Sequence, residues 1–171
     1  MKPKALIVSA DQFEDSELLY PLYRLREAGY EVDIAAPAAG KITGKHGYVF
    51  EANLNLADVE SHGACGYKVL VLPGGKAPAA LRLLPKALDI ARDFAGSGVP
   101  IAAICHGPQL LVTAGLLNGR KATCYKTVAE ELRAAGALYQ DAEVVVDANL
   151  ITSRMPADLP AFMRELMRML G

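Results

Sequence analysis

Val99-Pro100-Ile101-Ala102-Ala103-Ile104-Cys105-His106-Gly107-Pro108-Gln109-Leu110-Leu111 is the stretch whose reading decides the fold. An apolar run stops at a cysteine, a glycine follows two residues later, and an apolar helix-like segment comes next. The pattern reads as strand, sharp turn and helix, with a reactive sulfur at the corner. It is the cysteine counterpart of the elbow that presents the serine of G-x-S-x-G hydrolases. The backbone is pinched at such a turn, and Ala103 and Gly107 supply the small residues it needs. The positive end of the following helix favours thiolate over thiol.

Outward from this corner, apolar strand-like runs alternate with amphipathic stretches. Lys4–Ser9, Glu31–Ala36, Lys68–Leu72, Val99–Ile104 and Ala122–Cys124 read as strands. Asp15–Ala28, Lys86–Ala95, Pro108–Ala114, Val128–Ala135 and a last segment running to about Leu170 read as helices, the last capped by Asp158. Pro21 is expected to kink the first helix or to fall in its first turns. Ile42–Phe50 reads as a short hairpin, and Glu143–Asp147 with Leu150–Ser153 as another, turning at Ala148-Asn149. Repeated strand-helix-strand order implies parallel strands joined by right-handed crossovers. The expected fold is α/β, a flavodoxin-like, doubly wound, mainly parallel sheet with helices on both faces. One domain is expected over residues 1–171. Ligands gather beyond the C-terminal ends of such strands. Ser9 with Asp11–Asp15, Pro73-Gly74-Gly75 and Cys105 all fall there.

Composition narrows the function. Apolar residues make up 52% of the chain and charged residues 22%, with a net charge of -1 and no basic block, which points away from nucleic acid. No apolar run reaches the ~20 residues that span a bilayer, and the first apolar run is too short for a secretory leader. A cytoplasmic protein is expected. The three cysteines fit no zinc or C-x-x-C spacing, no second ligand stands at metal spacing from His46 or His62, and Gly74-Gly75 lacks the dinucleotide fingerprint. No metal and no cofactor is therefore expected.

Cys105 and His106 are the leading catalytic candidates. A thiolate nucleophile needs a proton acceptor and a place for oxyanion charge. His106 offers the ring, its backbone N–H one oxyanion donor, and a Gly74-Gly75 amide a second. Glu14 by itself reads as a carboxylate favouring a helix N-terminus, although its place after the first strand allows a cleft role. Arg154 with Asp158 reads as a salt bridge or helix cap.

Phe13-Glu14-Asp15-Ser16-Glu17-Leu18, Ile42-Thr43-Gly44-Lys45-His46-Gly47, Val71-Leu72-Pro73-Gly74-Gly75, Ala103-Ile104-Cys105-His106-Gly107-Pro108, Asp141 to Asp147, and Ser153-Arg154 with Pro156-Ala157-Asp158-Leu159 form a specific set. In these the chain resembles the ThiJ/PfpI superfamily of glutamine-amidotransferase-like folds, over nearly its whole length. The resemblance implies that Cys105 is the elbow nucleophile, that Glu14 is the glutamate touching its sulfur, and that Tyr125 lies near the cleft. Gly75 and the His106 amide match the oxyanion site. It also implies a homodimer or larger homo-oligomer. One position departs: Ala79 stands where protease-like members carry a glutamate that orients the histidine. The implied activity is stress-related chemistry on reactive carbonyls, either glyoxalase action without glutathione or repair of glycated amines. A redox-sensing or chaperone-like role is the alternative. A PfpI-type peptidase acting on peptides is weakened by Ala79.

Overall fold

The computed structural model describes residues 2–171. In chain order the elements are β1 (Lys4–Val8), α1 (Asp15–Glu27), β2 (Glu31–Ala36), β3 (Gly40–Thr43), β4 (Val49–Ala52), β5 (Leu54–Asn55) and β6 (Tyr67–Leu72). There follow α2 (Ala77–Leu81), α3 (Pro85–Ser97), β7 (Ile101–Ile104), α4 (Pro108–Ala114), β8 (Lys121–Ala122) and α5 (Ala129–Ala134). The chain closes with β9 (Leu138–Tyr139), β10 (Val145–Asp147), β11 (Leu150–Ser153) and α6 (Leu159–Leu170).

The main sheet runs β10-β11-β7-β6-β1-β2-β5. Every pair in it is parallel except β10 with β11. Ala5–Val8, Val69–Leu72 and Ile101–Ile104 are buried throughout, because helices cover both faces and no strand face meets water. This is the flavodoxin-like arrangement read from the alternation of runs. The direction of winding reverses between β1 and β6, and the crevice beyond the strand ends at that reversal is where such folds bind ligands.

Two expectations shift in detail. The strand expected at Ala122–Cys124 is shorter and stays out of the main sheet; β8 pairs with β9 in a small parallel sheet of its own. Pro21 sits inside α1, which runs through it unbroken. α2 was not read from the sequence, because five residues are too few to show a helical period. The β3–β4 hairpin pairs Ile42 with Phe50, as the alternation suggested. No described helix is long and apolar enough to cross a membrane.

Candidate active site

Cys105 follows β7 directly, and its φ of 62° puts a non-glycine residue in the left-handed region. That conformation costs on the order of 1–3 kcal/mol and persists only where its surroundings enforce it. Here the Cys105 N–H donates to Ser153 O at 3.0 Å and the Tyr125 N–H donates to Cys105 O at 2.9 Å. A Cβ on Gly107 would lie 2.2 Å from Leu72 O, so only glycine lets the elbow fold against β6.

His106 Nδ1 stands 3.2 Å from Cys105 Sγ. Its ring stacks on Tyr125, with centroids 5.2 Å apart and planes 30° off parallel. Burial, and then the charge of Lys45, lower the His106 pKa, so the imidazole is neutral at neutral pH and able to accept a proton. The backbone amides of Gly75 and His106 lie on the Cys105 side of the cleft and favour negative charge on the sulfur. Gly75 is held in its left-handed turn (φ 80°) by a bridge to Phe13, which brings the ends of β1 and β6 together.

The carboxylate beside the sulfur is Glu17, not Glu14. Glu17 is fully buried, and its Oε2 accepts the Gly74 N–H at 2.8 Å. Its Oε1 has no hydrogen-bond partner among the described residues, and Glu17 and Cys105 lie close enough for each to perturb the other's ionisation. Burial, and then the charge of Glu14, push the Glu17 carboxyl up to about 8. Burial, and then the charge of Glu17, push the Cys105 thiol up to about 12. Two such groups titrate as a pair. At neutral pH the pair keeps its protons: the sulfur rests as a thiol, against the expectation that the helix end favours thiolate, because burial and the neighbouring acid outweigh it, and Glu17 is a carboxylic acid able to donate.

Glu14 precedes α1 and turns to the hairpin side of the cleft. Lys45 Nζ lies 2.7 Å from its Oε2 and His46 Nε2 lies 3.2 Å from its Oε1. Asp15, beside it, accepts the amides of His46 at 3.0 Å and Tyr48 at 2.9 Å. Glu14, Asp15 and His46 bring ligand-type atoms within 4.8 Å of one another. The Lys45 ammonium already stands on that cluster, which ties the β3–β4 hairpin to the start of α1.

Glu14, Gly75, Cys105, His106 and Tyr125 line one cleft of about 690 Å³. Lys45, Lys76, Ala79, Gln109 and Pro156 complete its wall. Among the described residues that line the cleft, no acid stands beside Ala79. The charge of Glu131 on α5 raises the His106 pKa, but its two oxygens are engaged by Arg82 and Gln109. Asp158 pairs with Arg154 at 2.9 Å and makes no side-chain cap on α6, so the salt-bridge reading of that pair holds and the capping reading does not. A larger cavity of about 850 Å³ lies between Ala57–Cys65 and α3, remote from the thiol. It holds His62 and the Cys65 thiol, which donates to His62 O at 3.1 Å, but it does not lie at the elbow beyond the strand ends; the cleft around Cys105 does, and it is the candidate site.

Glu17, Lys45 and Gln109 escaped the sequence reading. A signal for Glu17 was present: it shares a helical stripe with Pro21 and Leu25, both buried, and an acid on a core stripe is a buried acid.

The DJ-1/PfpI family matches residues 3–169. The chain is 50% identical over 167 residues to Deglycase TK1284 of Thermococcus kodakarensis, spanning 98% of this chain and 99% of that protein. It is 43% identical over 174 residues to Protein/nucleic acid deglycase 2 of Escherichia coli, spanning 100% and 99%. Among solved structures, it matches a two-domain protein from Anabaena variabilis, which contains DJ-1/ThiJ/PfpI-like and ferritin-like domains. That match has a TM-score of 0.95 at 34% identity and covers 99% of this chain and 48% of the other. Drosophila melanogaster DJ-1beta gives a TM-score of 0.90 at 29% identity, covering 99% and 91%. With the elbow, the buried acid and these relatives in place, the chain belongs to the DJ-1/PfpI family.

Proposed function

We propose that this protein is a cysteine-dependent enzyme that removes reactive carbonyl adducts from amines, in the manner the names of its deglycase relatives indicate. The observation that carries the reading is the contact of Cys105 Sγ with the neutral His106 ring at 3.2 Å, beside a buried, protonated Glu17.

The steps balance for a carbinolamine, R–NH–CH(OH)–C(O)–CH3. His106 takes the thiol proton as Cys105 Sγ attacks the hydroxyl-bearing carbon. The C–N bond breaks and the nitrogen receives that proton, which frees the amine. A proton then moves from that carbon to the neighbouring carbonyl carbon while the hydroxyl proton passes to the former carbonyl oxygen, with Glu17 and His106 as the available acid and base. The hemithioacetal becomes a thioester, and water cleaves it to lactate and the free thiol. The Gly75 and His106 amides are placed to hold the oxygen charge that develops next to sulfur. Attack on a free 2-oxoaldehyde enters at the hemithioacetal.

The test is lactate and free amine released from methylglyoxal-treated Nα-acetyl-lysine without glutathione. Turnover in the wild type, with loss of at least hundredfold in Cys105→Ser, is expected. Wild-type protein with a reduced thiol and no turnover overturns the reading. The peptidase reading gains nothing from the site, since Ala79 lines the cleft where an orienting acid would be needed.

A further inference from the structure

Gln109 is part of the cleft wall but has no part in the chemistry above, and its surroundings hold it in one orientation. Its Nε2 donates to Glu131 Oε2 at 3.1 Å. Glu131 Oε1 is bound by Arg82, and Arg82 Nε also donates to Thr113 Oγ1 at 2.7 Å. Arg82 therefore clamps α5 to α4, with Glu131 between them. Partial burial opposes ionisation of Glu131, but the bonds from Arg82 and Gln109 outweigh it and hold its pKa below the ordinary value. A carboxylate only accepts, so it must face the NH2 of the amide and not the carbonyl. Gln109 Oε1 is left on the other side. It accepts nothing from the described residues and is not among the buried unsatisfied atoms, so it is open to solvent, on a residue that lines the cleft. The Gln109 N–H donates to His106 O at 3.0 Å, which roots the side chain next to the proton-transfer ring.

We propose that Gln109 is a specificity-determining residue: its fixed Oε1 accepts the N–H of a nitrogen-borne carbonyl adduct and so selects amine adducts over thiol adducts. The chemistry of the two classes differs at that atom. A carbinolamine made from a primary amine keeps one N–H beside the reacting carbon. A hemithioacetal has bare sulfur there, and its single O–H is needed elsewhere. An acceptor that cannot rotate to become a donor rewards the first and does nothing for the second. Glu131 and Arg82 hold Gln109 and are positioning residues; the Glu131 charge also acts on His106, an effect that moves both substrates together and leaves their ratio fixed.

This inference rests on the carbonyl reading of the site, and its experiment separates the two. The kcat/KM values are measured for the methylglyoxal adducts of Nα-acetyl-lysine and N-acetylcysteine, in the wild type, Gln109→Leu and Glu131→Gln. In Gln109→Leu, the lysine-to-cysteine ratio of kcat/KM should fall about tenfold, the effect of one lost hydrogen bond to substrate. In Glu131→Gln the ratio should fall by a smaller factor, because the partner amide no longer dictates which end of Gln109 faces the cleft. Damage to packing alone lowers both substrates together and leaves the ratio fixed. An unchanged ratio in Gln109→Leu, with the wild type active, overturns the role of Gln109 and leaves the carbonyl chemistry standing. Absence of Cys105-dependent turnover of either adduct in the wild type overturns both.

Discussion

Glu17 Oε2 accepts the amide hydrogen of Gly74 at 2.8 Å, so a buried acid on the first helix is bonded to the strand end that faces the nucleophile. A Cβ on Gly74 would lie 2.5 Å from that oxygen, 2.8 Å from Cys105 Cβ and 3.0 Å from His106 N. Glycine is needed here for room. At Gly75 it is needed for backbone as well, since φ is 80° and a Cβ would lie 2.4 Å from Glu14 N. Gly74→Ala should lower the rate of Cys105 alkylation and turnover at least tenfold, with a stability loss of about 1–3 kcal/mol. Gly75→Ala should unfold more readily still. Iodoacetamide kinetics and urea denaturation of both variants check the order.

Glu17 makes stability fall as pH rises. Its carboxyl moves from 4.5 to about 8 on folding. Across that window the unfolded chain gives up this proton while the folded chain keeps it, so folding becomes less favourable toward alkaline pH. Glu17→Gln has nothing to ionise. It should match the wild type near pH 5 and exceed it by a few kcal/mol at pH 8. Urea midpoints at the two pH values measure the gap, and a gap that narrows with rising pH contradicts the assignment.

The same two groups shape activity. Below the ordinary histidine range His106 becomes protonated and loses its role as acceptor. Above about 8 Glu17 becomes an anion and stops donating. The kcat/KM profile should therefore rise through an acid limb below the ordinary histidine pKa and fall through an alkaline limb near 8. Glu17→Gln should remove the alkaline limb and keep the acid one.

Glu14 and Glu17 should separate in mutagenesis. Glu14→Gln leaves the sulfur's neighbour in place and mainly strips Lys45 of its partner, whose ammonium Glu14 holds above the usual range. Turnover should fall less than tenfold in Glu14→Gln and at least a hundredfold in Glu17→Gln. Equal losses would return Glu14 to the sulfur.

Tyr125 positions His106 by stacking. Tyr125→Phe retains the ring and should keep most activity. Tyr125→Ala should cost about tenfold in kcat, with the His106 ring signals broadened in NMR spectra.

What the sequence could reveal here follows from how local each signal is. The elbow at Cys105 was legible because an apolar strand, a small residue and Gly107-Pro108 follow one another directly, and each is dictated by local backbone geometry. That the strands are parallel was legible because both faces of each are buried and the residues are correspondingly apolar, whereas their order in the sheet depends on long-range pairing and was not read. The identity of the buried acid was harder to read. Glu14 and Glu17 lie three residues apart, on one turn, and only the placement of β6 and the hairpin decides which of them faces sulfur. The Arg82–Glu131–Gln109 chain joins three segments distant in sequence and has no local pattern at all.

The main sheet ends at β5, of two residues, on one side and at antiparallel β10, of three, on the other. Each border strand offers another chain only a short ladder, although β5 pairs with β2 at Ala35 and Ala36 alone. The parallel strands that carry the site are thus set back from strand-by-strand growth, which helps protect a Val- and Ile-rich interior from templating fibrils. Helices, loops and the β3–β4 hairpin leave the broader surfaces for contact between copies of such a chain.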